Sequence, residues 1–161
     1  MCDYGSLFLW HLKLEGKPKL GQAYLRRCLR KLKPFKSHLD ETLYYKRIFL
    51  DIFGSSSGGR LVNECDLSVL FTIARNVCMI LAHKQGCQAF GRRESFDTAF
   101  ALCPRLPLSR CTYEALSEWK AIYECRVAPE ARLPNSKKVR VFVRQMKELL
   151  DYAEGELRRT H

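Results

Sequence analysis

LVNECDLSVLFTIARNVCMILAHKQG, residues 61–86, is the stretch that decides the fold. It is strongly apolar, and it reads as one long helix over residues 61–84 that ends near Gly86 and runs through the core. One stripe of it is polar. At 100° per residue, Glu64, Ser68, Thr72, Arg75 and His83 share an arc about 100° wide, interrupted by Met79. Polar groups in a row on an apolar helix are costly unless they face solvent, a cleft or a polar network. Two readings of the stripe stay open: a surface edge or satisfied network, and a catalytic or phosphate-binding site.

The segments on either side are helical as well. GQAYLRRCLRKLKP puts Leu25, Cys28, Leu29 and Leu32 on one face, with Pro34 as the stop. HLDETLYYKRIFLDIFG repeats its apolar residues at helical spacing up to Gly54. A flexible loop is expected over Gly54–Gly59. RESFDTAFALCP forms a short helix closed by Pro104, and SRCTYEALSEWKAIYECR forms another. The last helix begins at Asn135-Ser136 and runs for about 25 residues, as the periodicity indicates.

Residues 6–14, SLFLWHLKL, depart from this pattern. Phe8, Trp10, Leu12 and Leu14 alternate with Leu7, Leu9, His11 and Lys13, which is a strand period. The expected fold is therefore an all-α bundle of about six helices with one short N-terminal β-strand. Residues 1–20 would form the strand segment and residues 21–161 the bundle. A lone strand leaves both edges unpaired. Phe8, Trp10, Leu12 and Leu14 are thus expected to form an interface, through a homodimer or with the sheet of a partner.

The chain has 161 residues, 47% of them hydrophobic and 28% charged, which is enough to bury a core as one globular domain. It contains no run of 18 apolar residues and no basic leader before an apolar stretch. A cytoplasmic protein without membrane contact is expected. Eight cysteines lack C-x-x-C pairs and zinc-finger spacing, so no metal or other cofactor is expected. They read as free, buried thiols of a reducing compartment, with a disulfide-stapled secreted protein as the alternative. The net charge is +11, and between Gly16 and Leu39 eight Lys or Arg stand without one Asp or Glu. Such a run suits phosphate on a nucleic acid or nucleotide, or simply keeps a helix face solvated. Arg26, Arg27, Arg30 and Lys31 are its candidate phosphate ligands. Arg92 and Arg93, at the expected start of a helix, are two more.

YGSLFLWHLKLEG fits the pattern L-F-x-x-H-L-x-x-E-G from Leu7 to Gly16. It resembles a segment at the end of the palm domain in bacterial nucleotidyltransferase-fold proteins. ARNVCMILAHKQG followed by FGRRESF resembles the central helix and turn of the HEPN bundles that accompany minimal nucleotidyltransferases. The resemblance covers most of the chain loosely. It implies a helical module that binds RNA or nucleotide phosphate, or docks on a palm-bearing partner. A palm also needs a D-x-D or D-x-E pair after its Gly-Ser turn to hold divalent metal. Gly5-Ser6 is present, but no such pair follows, so the chain is not expected to transfer nucleotides alone.

HEPN ribonucleases share an R-x(4–6)-H motif, in which the histidine is a general acid or base and the arginine stabilises the phosphorane. Here seven residues separate Arg75 from His83. The alternative this implies is a metal-independent endoribonuclease of toxin–antitoxin type, with Arg75 and His83 as its catalytic pair. A purely structural interaction protein is the third reading.

Overall fold

The computed structural model describes residues 6–17, 19–54, 62–125 and 133–159, and within them the protein is all-helical. In chain order the helices are α1 (Leu7–Glu15), α2 (Gln22–Arg30), α3 (His38–Phe53), α4 (Glu64–Lys84), α5 (Arg92–Leu102), α6 (Arg110–Cys125) and α7 (Ser136–Arg158). The chain divides into two compact units, Met1–His38 and Leu39–His161. The expected loop after Gly54 lies outside the described residues.

The expected strand at residues 6–14 is absent, and α1 stands in its place. A single strand has no ladder to pair its backbone, whereas a helix pairs its own. The nine-residue turn sequence closes with the Gly16 amide on the Leu12 carbonyl at 3.1 Å. His11 and Glu15, four apart, meet at 3.3 Å. Helical geometry also breaks up the alternating apolar face. Phe8 and Leu12 fall on one side, and Trp10 and Leu14 on the other. Phe8 and Leu14 are exposed, while Trp10 and Leu12 are half-buried. The strand on which the expected pairing interface rested is therefore not present at residues 6–14. Within this unit α1 packs on α2, and the Trp10 indole N–H donates to the Lys33 carbonyl at 3.1 Å.

In the second unit α4 is the centre, with α5, α6 and α7 packed on it. Leu67, Leu70, Ala74, Val77, Cys78 and Ile80 of α4 are all sealed from solvent. Phe49 and Phe53 of α3, Phe96 of α5, Leu116 of α6 and Met146 and Leu149 of α7 join the same core. α4 begins three residues later than its periodicity implies because Asn63 and Asp66 form a reciprocal cap. Asn63 Oδ1 accepts from the Asp66 amide and Asp66 Oδ2 from the Asn63 amide, both at 3.0 Å. It stops at Gly86, whose φ of +81° is left-handed and suits glycine. By length and composition α4 could cross a membrane, yet 72% of its most apolar stretch is buried inside the bundle.

No disulfide joins any two of the seven described cysteines. Cys78 and Cys103 are buried, but Cys65, Cys111 and Cys125 are exposed, so the thiols are not uniformly core residues. Cys125 is the last residue of α6.

Candidate functional site

α2 carries the first candidate surface. Its apolar side is Leu25, Cys28 and Leu29, half-buried or buried. Its other side is cationic: Arg26, Arg27, Arg30 and Lys31 are all exposed. At 100° per residue these four span an arc of about 140°. No ion pair to any of the four is found among the described residues. Tyr24 borders the same arc, next to Lys31, and is 74% exposed. The sequence reading passed over Tyr24, although an aromatic on the polar side of an amphipathic helix was the available signal. Cations tracking a phosphate backbone beside an aromatic ring form the usual elements of single-strand recognition.

Arg92 and Arg93 sit in the first turn of α5, as expected. With Arg110, at the start of α6, they border a cleft of about 270 Å³ floored by Phe96 and Tyr113. Tyr113 holds this corner together. Its hydroxyl donates to the Arg92 carbonyl and lies 3.1 Å from Ser95 Oγ. Burial pushes its pKa up to about 12, so it remains a neutral donor. The arginines, however, are largely paired with carboxylates across α5 and α6. Arg92 meets Glu124 at 2.6 Å and Arg110 meets Asp97 at 2.7 Å. Hydrogen bonds from Lys120 and then Arg92 hold the Glu124 carboxyl below its usual range. Arg93 is 79% exposed and only 4.0 Å from Glu114. Glu114 and Glu118 also line the cleft, so its charge is nearly balanced.

The polar stripe of α4 resolves into separate local partnerships. Thr72 Oγ1 donates back to the Ser68 carbonyl at 3.0 Å. Arg75 is half-buried, and its guanidinium donates to the Phe90 carbonyl; its buried Nε makes no hydrogen bond among the described residues. Asn76 Nδ2 donates to the Tyr45 hydroxyl at 2.8 Å, tying α4 to α3. Burial and then the nearby Glu41 raise the Tyr45 pKa. His83 is half-buried, and loss of solvent lowers its pKa, which keeps the imidazole neutral near pH 7 and able to accept a proton. Eight residues along the helix put Arg75 and His83 about 12 Å apart on the axis. The Arg75 guanidinium is turned to the Phe90 carbonyl.

The chain matches no protein-family model, no curated protein and no solved structure at a significant level.

Proposed function

We propose that the protein is a HEPN-like helical module that binds RNA or nucleotide phosphate without catalysing nucleotide transfer itself. The observation that carries this reading is the α2 face, where Arg26, Arg27, Arg30 and Lys31 are exposed in one arc without acidic neighbours in residues 16–39. Binding that neutralises phosphates releases counterions, so affinity falls steeply with salt. Tyr24 favours a single-stranded RNA, whose unstacked bases can reach an aromatic ring. The α5–α6 cleft is the weaker phosphate candidate because its arginines are paired internally. Binding is favoured over cleavage because the Arg75 guanidinium is committed to the Phe90 carbonyl.

Fluorescence anisotropy with a labelled single-stranded RNA, over a range of salt, tests the reading. Arg26→Glu, Arg27→Glu, Arg30→Glu and Lys31→Glu together should weaken binding for every sequence and flatten the salt slope. Tyr24→Ala should weaken single-stranded RNA more than duplex RNA. Unchanged affinity in the quadruple variant would reduce the patch to a solvated face.

A further inference from the structure

We propose that a groove between the C-terminal half of α3 and the N-terminal half of α7 docks an acidic, amphipathic helix of a partner protein. The groove lies within the second unit and has a volume of about 870 Å³. α3 and α7 are tied at one end, where Lys46 Nζ meets Asp151 at 2.6 Å and Glu154 at 2.8 Å. Toward the other end lies the groove, floored by Phe49, Phe53, Val62 and Val143. Leu50 and Leu133 line it while 47% and 45% exposed, so its lip is apolar too. Arg140, Arg144 and Lys147 form a basic rim on α7.

The charge pattern of α7 identifies the occupant's sign. From Ser136 to Lys147 the helix carries Lys137, Lys138, Arg140, Arg144 and Lys147 and no acid. These cations crowd the positive pole of the helix dipole, where anions are favoured. Asp151 and Glu154, in its second half, are matched by Lys46. In the first half the one ion pair among the described residues is Arg144 with Glu148, at 3.8 Å. An anionic partner would offset both the cation–cation repulsion and the dipole. The apolar floor asks for side chains rather than phosphates, and an amphipathic helix supplies them at i, i+3, i+4 and i+7. A second copy of this chain is a poor fit. Its net charge of +11 opposes self-association, and Asp151 and Glu154 are already engaged.

The test uses the full chain and a fluorescein-labelled peptide of about 18 residues, five helical turns, with Leu on one stripe and Glu flanking it. Saturable binding with a Kd of about 10 µM or tighter is expected. The same peptide with Lys for Glu, or with its Leu positions scrambled, should not bind. Leu50→Glu, at an exposed position, should weaken binding about tenfold or more, and Arg140→Glu with Arg144→Glu should do the same. Circular dichroism checks that both variants stay folded, and both should keep their RNA affinity, which separates this site from the α2 face. Four outcomes would overturn the proposal: no saturable binding; equal binding by the Leu50→Glu variant; binding lost instead when α2 is charge-reversed; or binding only after residues 126–132 are replaced by Gly and Ser. Sedimentation showing a dimer that Leu50→Glu dissociates would also overturn it, by making a second copy the occupant.

Discussion

The guanidinium of Arg75 donates to the backbone carbonyl of Phe90, the residue before the Gly91 that precedes α5. A side chain in the middle of the central helix is thereby bonded to the segment that leads into α5. Removing a charged donor from a part-buried carbonyl costs about 1.5–3 kcal/mol. Arg75→Ala should lower unfolding stability by that amount in urea titration and shift the backbone amide resonances of Phe90–Arg93. A loss of RNA cleavage without any change in stability would instead make Arg75 a reacting group.

His83 gives the protein a pH dependence of defined sign. Its folded pKa lies below the ordinary 6.5 because burial disfavours the charged ring. The unfolded chain then binds the proton first as pH falls, so this contribution to stability is present above 6.5 and is lost as pH drops from 6.5 toward the folded value. His83→Gln should flatten that part of the curve. Thermal midpoints of the two proteins, measured from pH 7.5 to 5, check it; parallel curves would contradict the assignment.

Much of the fold was legible and some of the site was not, for reasons visible at particular residues. α4 was readable because its apolar stretch is long, and α7 because Asn135 announces it, its Oδ1 accepting from the Lys138 amide at 2.9 Å. α1 was misread because nine mostly apolar residues satisfy both periods, and only the lack of a partner strand decides between them. On the polar stripe of α4, Arg75 answers to a backbone carbonyl fifteen residues on, which no side-chain pattern encodes. Arg92 looked like a free anion ligand because Glu124, its counterion, comes from another helix.

Asn76 and Tyr45 hold α3 against α4 through one side-chain hydrogen bond at 2.8 Å. A neutral bond of this kind contributes about 1 kcal/mol net. A double-mutant cycle of Asn76→Ala and Tyr45→Phe should therefore return a coupling of that order by chemical denaturation. Strict additivity would mean that the bond contributes nothing in solution.

Lys46 bridges two carboxylates of α7, and hydrogen bonds to Asp151 and then Glu154 raise its pKa. The pair sites are partly solvated, so Lys46→Met should cost no more than about 1 kcal/mol at low salt. The deficit relative to wild type should shrink as ionic strength rises and screening sets in. A deficit independent of salt would point to lost packing of the lysine stem.

The central position of α4 has a consequence for how the chain is made. α5, α6 and α7, which pack closely on α4, all follow it in the sequence. During synthesis the most apolar segment therefore leaves the ribosome before those helices exist to cover it. At about 5–20 residues per second, the remaining stretch to α7 keeps that surface open for several seconds. Nascent chains halted soon after Gly86 should be captured by chaperones or by membrane-targeting factors that recognise apolar helices, and chains halted after α7 should not.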